Sequence, residues 1–367
     1  TNPILKSMTF STTGKLSRCI YSRLYGQRPT FRSLSTSGGE SESLSYRLLR
    51  DTGATVPIFC GPMYPGSNPE LVAEVSRCGG MGIVQPLTLT HLYGHDFREG
   101  LRMIKHLSND RPFGVNFTIM PQNKKYQKMM DEWMDISIEE GVKFFLTSLG
   151  KPDAIVKHAH KHGVKVYHDV HSTELARRAA GAGVDGINLL NDSMGGQTGS
   201  HDAIELLHSV QALDLNVPLL CAGGVGDEVA FRRMLDAGYA GVQMGTRFLA
   251  THECRVTDSY KQGIVKATAE DIVLTNKLAG TESSVIRTPM IEKGGLRVNA
   301  LLSFLLRQPS TKGYARMFLL SRSVNSYKKA TFDEGHEVWQ AGRGVSDVHS
   351  VESVEEVMER LKNAFKN

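Results

Sequence analysis

Residues Val217-Pro218-Leu219-Leu220-Cys221-Ala222-Gly223-Gly224-Val225-Gly226, followed by Gly241-Val242-Gln243-Met244-Gly245-Thr246-Arg247-Phe248-Leu249-Ala250-Thr251, decide how the chain is read. Val217 to Ala222 is a short apolar run of strand type, broken by Gly223, Gly224 and Gly226. Val229, Phe231, Met234 and Leu235 then recur at helical spacing, and Gly238 stops that helix. Gly241 to Met244 reads as the next buried strand, ended by Gly245 and Thr246. Two consecutive parallel strands thus finish in glycine at one edge of a sheet. Glycine lets a backbone approach an anion closely and aim N–H groups at it. The two loops, with a helix N-terminus behind one of them, make a candidate phosphate cradle. Tight turns alone are the competing explanation, and it is weaker for a pair of loops than for one.

Upstream the same alternation repeats. Strands are expected at 56–60, 82–84, 113–117, 142–146, 165–170 and 186–190, and helices at 69–77, 97–107, 124–140, 153–162, 173–182 and 202–213. Asn68 and Pro69 suit the cap and first position of the first of these helices. With the two glycine-ended units the count reaches eight, which suits a closed (β/α)8 TIM barrel, α/β in class. An open doubly wound sheet is the alternative. It is disfavoured because no Gly-x-Gly-x-x-Gly follows the first strand and because the glycine pair comes at strands seven and eight. The barrel is assigned to 50–255. Residues 256–340 break the alternation with Lys- and Arg-rich helical pieces and polar turns, an appended mostly helical region or lid. Residues 341–367 return to the barrel and end in a helix.

The chain has 367 residues, 40% of them hydrophobic and 22% charged, ordinary for a globular protein, and no long apolar run of membrane-spanning length. The five cysteines are odd in number and lack metal-type spacing, so free thiols and no metal site are expected. The formal charge of +5 is carried by the N-terminus. Residues 1–39 hold Lys6, Lys15, Arg18, Arg23, Arg28 and Arg32 and no acidic residue, and the rest is close to neutral. This Arg- and Ser-rich stretch, within a 1–45 segment outside the barrel, has the composition of a mitochondrial transit peptide. Nucleic acid is not expected as a partner, since no folded element carries the excess charge.

Several pieces in order give a resemblance. They are Pro57-Ile58 with Gly61-Pro62-Met63, Gly79-Gly80-Met81-Gly82, Pro112-Phe113-Gly114-Val115-Asn116, and the stretch from Asp185-Gly186 to Gly195-Gly196. Last come Ala222-Gly223-Gly224-Val225 and Gln243-Met244-Gly245-Thr246-Arg247-Phe248. Each alone is weak; the ordered series, over about 56–350, resembles the nitronate monooxygenase family, which includes FMN-dependent enoyl-acyl-carrier-protein reductases. The resemblance implies a (β/α)8 barrel that binds FMN. Its phosphate would rest on Gly223, Gly224, Gly245 and Thr246, with Gly195 and Gly196 close by. Its ring would lie toward Gly61, Pro62 and Met63, with Asn116 at the polar edge.

One position departs from the family. Its nitronate-oxidising members carry Gly-Gly-His in the sixth-strand loop, the histidine serving as base, and here Gln197 follows Gly195 and Gly196. An amide takes no proton at neutral pH. His168, near the end of strand five, is the expected replacement base, because catalytic groups of barrels collect at strand ends and an imidazole titrates near neutrality. Three functions remain open: an FMN oxidoreductase acting on nitronates, or with NAD(P)H on a quinone or enoyl thioester; a non-redox barrel with a phosphate-bearing substrate; and a retired barrel that binds FMN without turnover. Molecular oxygen or NAD(P)H would be the co-substrate of the first, and a homo-oligomer is compatible with all three.

Overall fold

The computed structural model describes residues 43–120, 123–278 and 280–366. The basic stretch 1–39 lies outside them. Eight parallel strands close into a barrel: β1 (Ile58–Cys60), β2 (Met81–Val84), β3 (Gly114–Thr118), β4 (Phe144–Ser148), β5 (Lys165–Val170), β6 (Gly186–Leu190), β8 (Leu219–Ala222) and β9 (Gly241–Met244). The label β7 belongs to a two-residue strand, Gly196–Gln197, in the loop after β6. Closure is made by β9 against β1, with Phe59 opposite Gln243. The expected barrel is therefore the observed one. Strands three and four start one or two residues later than the apolar runs suggest, because Phe113 and Val142 pack while still in the entering turns.

The connecting helices are α2 (Pro69–Arg77), α3 (Phe97–Leu107), α4 (Lys124–Glu139), α5 (Asp153–Lys161), α6 (Thr173–Gly181), α7 (Ala203–Gln211) and α8 (Glu228–Ala237). Several begin on a side-chain cap. Asp96, Ser172, Asp202 and Asp227 each accept from an amide of the first turn. The ring is completed by α14 (Val354–Lys366), which packs between α8 and α2 in the place expected for the helix after the eighth barrel strand. Directly after β9 comes only the four-residue α9 (Thr246–Leu249).

A helix not foreseen from the sequence, α1 (Leu44–Thr52), begins inside the 1–45 segment. Its Leu48 is fully buried with Phe59, Met81, Phe144, Tyr167 and Leu220 in the cluster that fills the barrel. Removing one leucine side chain from water contributes about 2 kcal/mol. Inside the barrel, Phe59 meets Phe144 edge-on at 5.3 Å between ring centres. A second, larger apolar layer, including Val166, Val170, Ile187 and Cys221, lies between strands and helices.

Residues 256–340 hold α10 (Asp258–Lys266), α11 (Pro289–Gly294), α12 (Ala300–Arg307) and α13 (Lys312–Phe332). They also hold strands absent from the mostly helical expectation: β10 (Ile272–Thr275) and β11 (Ser283–Ile286), an antiparallel pair. To this pair β7 adds a third strand, with Gln197 opposite Ser283 and Gly196 opposite Ser284. The appended region is thereby sewn to the sixth-strand loop at the barrel mouth. No helix among the described residues is long and apolar enough to cross a membrane. Cys60, Cys78, Cys221 and Cys254 are buried free thiols.

Candidate active site

The C-terminal rim is where glycine-ended loops converge. Gly223 and Gly224 hold φ of 119° and 76°, left-handed values that an L side chain resists. The space is also taken. A β-carbon on Gly223 would lie 2.4 Å from Asn191 Oδ1 and 2.6 Å from the Met194 amide, and one on Gly224 would lie 3.1 Å from Ser193 Cβ. So the β8 loop and the β6 loop touch through bare backbone. Asn191 binds them side by side: its Nδ2 donates to Gly223 O at 3.0 Å and its Oδ1 accepts from Ser193 N at 2.9 Å.

A third segment completes the rim. Gly342 N donates to Thr246 Oγ1 at 3.0 Å, and Arg343 N donates to Ser193 O at 2.9 Å. A β-carbon on Gly195 would come within 2.8 Å of Gly342 N. Gly195, Gly196, Gly223, Gly224 and Thr246 are thus brought to one edge, and Gly245 stands beside them, 3.3 Å from Met63 Sδ to its ideal β-carbon position. Sequence reasoning misses the 342–344 contribution. Its Gly-Arg-Gly (Gly342, Arg343, Gly344) is the available signal.

Across the mouth, Gly61 N donates to Met244 O at 3.0 Å, and its missing side chain leaves room for Gln243, 3.1 Å from an ideal β-carbon. Pro62 and Met63 are partly exposed. Met63 is held by its amide, which donates to Ser67 Oγ at 2.7 Å, and by its carbonyl, which accepts from Thr88 Oγ1 at 3.0 Å. Asn116 is buried, with Nδ2 donating to Leu146 O at 3.1 Å across to β4. That bond joins two strands, so half of this amide already has a structural task.

His168 is not at the mouth. Tyr167 belongs to the cluster inside the barrel, while Val166 and Val170 belong to the layer under the helices. Strand alternation puts His168 with the valines, on the helix side. Its Nδ1 lies 2.8 Å from Thr147 Oγ1, whose own proton goes to Tyr167 O at 3.1 Å, so the imidazole donates there. Burial pushes this imidazole down to about 4, against hydrogen bonding to Thr147. A neutral, packed histidine behind the strand wall cannot reach a group inside the barrel, and the expected role for His168 does not fit its position.

The same alternation turns Asp169 inward. Its Oδ1 accepts from Asn188 Nδ2 at 2.7 Å, across to β6. A fraction of Asp169 is open to the mouth, yet its surroundings are dry enough that burial pushes the carboxyl up to about 7, with the Asn188 bond opposing. Asn188 Oδ1 and, on β9, Gln243 Oε1 are buried without a hydrogen-bond partner. Native interiors seldom leave such atoms unpaired. Both side chains share the interior face, Asn188 being paired with Leu220 in register and Gln243 with Phe59. Gln197 is exposed at the end of the small sheet.

The described residues thus form a mouth with a glycine rim on one side, unpaired amide oxygens within, and one carboxyl that burial holds well above the ordinary carboxylate range. The nitronate monooxygenase family profile matches residues 47–363. The (3aS,4S,5R,7aS)-5-hydroxy-7a-methyl-1-oxo-octahydro-1H-indene-4-carboxyl-CoA dehydrogenase of Rhodococcus jostii is 30% identical over 250 residues, 68% of this chain and 67% of that protein. A probable nitronate monooxygenase of Bacillus subtilis is 26% identical over 85% of this chain and 97% of its own. Among solved structures, FabK from Thermotoga maritima superposes with a TM-score of 0.72 at 27% identity, covering 89% of this chain and 97% of that one. With the profile spanning nearly the whole described chain on a closed eight-stranded barrel, the protein belongs to the nitronate monooxygenase family and is an oxidoreductase.

Proposed function

We propose that the protein is an FMN-dependent oxidoreductase whose substrate, an alkyl nitronate, a quinone or an enoyl thioester, is bound above the barrel interior. The observation that carries this reading is the pair of buried, unpartnered oxygens, Asn188 Oδ1 and Gln243 Oε1, on the same interior face as Asp169, which Asn188 contacts, beneath a double-glycine rim. Both oxygens suit N–H donors on a polar heterocycle. The bare backbone at Gly223, Gly224 and Gly245 suits a phosphate, with the Thr246 hydroxyl proton still free of the Gly342 bond. Residues Gly61 to Met63 would close the opposite edge. Bound flavin supplies hydride and one-electron chemistry; the chain's task is to bind, orient and manage protons.

Asp169 is the residue best placed for that last task. Asn188 fixes one carboxylate oxygen and leaves the other to accept a proton from a substrate carbon or return it. This assignment supersedes the base expected at His168. Gln197, at the position of the family's histidine, would contribute an amide hydrogen bond and no proton transfer. With the base moved from loop to strand, an enoyl thioester or quinone reduced with NAD(P)H suits the pocket at least as well as an alkyl nitronate handled with oxygen. The 30% identical relative is named for a carboxyl-CoA substrate, which favours the thioester.

The test is anaerobic reduction of the purified protein by NADH and by NADPH, then reoxidation by quinones and enoyl thioesters, alongside oxygen uptake with alkyl nitronates. Turnover with at least one class is expected. A tightly bound flavin that none of these reduces or reoxidises would leave only the retired-barrel reading.

A further inference from the structure

The helices α12 and α13 pack on each other as a hairpin on the appended region, and their outer faces are unlike the rest of the surface. Of the side chains in α12 none is fully buried, although its sequence is Ala-Leu-Leu-Ser-Phe-Leu-Leu-Arg. Leu301 is 68% exposed, Phe304 58%, Tyr314 74% and Met317 54%, and Phe318 lies beside them on α13. On α13 these positions share one face, since residues three and four apart are neighbours. The opposite face, with Ala315, Leu319, Ser323, Tyr327 and Ala330, is the buried one. From Lys293 to Phe332 the sequence has eight Lys or Arg and no acidic residue. Among the described residues Arg307, Lys312, Arg322, Lys328 and Lys329 form no ion pair, and Arg322 lies over the Phe318 ring at 5.8 Å.

We infer that this hairpin is a docking face for an anionic lipid bilayer, on which the protein lies without crossing it. Apolar side chains more than half clear of the protein, set among unpaired cations on adjoining helices, are the composition of an interfacial anchor. A second copy of the chain is a poor occupant, because a two-fold contact would set this cationic face against itself. An acidic protein partner would satisfy the charge, but would have to supply pockets for several aliphatic and aromatic side chains that protrude. A bilayer interface accommodates them without a matching shape.

The experiment is co-sedimentation of the full chain, holoprotein included, with vesicles of phosphatidylcholine alone and of phosphatidylcholine mixed with phosphatidylglycerol. Binding to the anionic vesicles alone, weakened by salt, is expected. The double variants Arg307→Glu/Lys312→Glu and Leu301→Ser/Phe304→Ser should each lose roughly tenfold or more in apparent affinity, with melting temperature and flavin content unchanged. Because residues 1–39 are also basic, these variants are decisive: binding that survives both would overturn the inference. So would equal binding to neutral vesicles, absence of vesicle binding, or a solution dimer that both variants dissociate.

Discussion

Replacing Asp169 with asparagine tests the placement of that side chain through stability, independently of any substrate. In the folded, flavin-free protein the carboxyl is pushed up to about 7, against an ordinary 3.8. A raised value means the folded state holds the proton more tightly than the unfolded state does. The associated stability is fully present below about pH 3.8 and is lost as pH rises through about 7, where it levels off. A shift of about three units corresponds to about 4 kcal/mol in total. Between pH 5 and 8, about 2–3 kcal/mol of this is accessible to measurement. The amide of the Asp169→Asn variant would keep a hydrogen-bonding contact with Asn188 and carry no charge. Chemical denaturation of apo wild type and Asp169→Asn at intervals over that range should therefore show curves that diverge as pH rises, the variant gaining relative to wild type by that amount. Parallel curves would mean that Asp169 is solvated like a surface carboxylate and does not sit in the dry barrel interior.

Four further outcomes are expected. Gly224→Ala places a β-carbon 3.1 Å from Ser193 Cβ at a φ of 76°; strain of about 1–2 kcal/mol and loss of bound flavin should appear together, read by melting temperature and flavin absorbance. His168→Ala should cost about 1–3 kcal/mol in denaturation while turnover per bound flavin stays near wild type, because the imidazole faces Thr147 and the helices. Gln197→His should raise oxygen uptake with alkyl nitronates if the family's histidine position is all that the pocket lacks; unchanged uptake would show that the pocket differs elsewhere. A fluorescent reporter fused to residues 1–39 should be imported into mitochondria, and a cytosolic reporter would refute the targeting assignment.

The barrel was legible because most of the parallel strands are buried on both faces and so read as apolar runs, several of them ended by glycine. The same property hid the interior. Tyr167 and His168 are both buried, so hydrophobicity does not tell which of them faces the barrel, and nearness to the strand end favours His168 without fixing its side. A clue was present across the sheet. Gly186 pairs with Tyr167, and a β-carbon there would be 2.3 Å from its ring, so the glycine makes room for the tyrosine. Asn188 then falls opposite Asp169. The glycine loops after β6, β8 and β9 were legible but the segment Gly342 to Gly344 was not, since it meets them only after the whole appended region has intervened. The small sheet could not be foreseen. One of its strands is two residues long and begins with glycine, and its stability comes from pairing with segments distant in sequence. The helix α1 escaped because it adjoins, and partly overlaps, the segment assigned to a transit peptide.

The central claim is a flavin mononucleotide held between the glycine rim and the interior of the barrel, and it is tested most directly by titrating apo protein with FMN. Quenching of FMN fluorescence should saturate at equimolar ratio, and the signal should be abolished in Gly224→Ala and weakened in Asn188→Leu, which removes the unpaired oxygen. Absence of saturable FMN binding by the folded apo protein, or binding indifferent to both substitutions, would contradict the account.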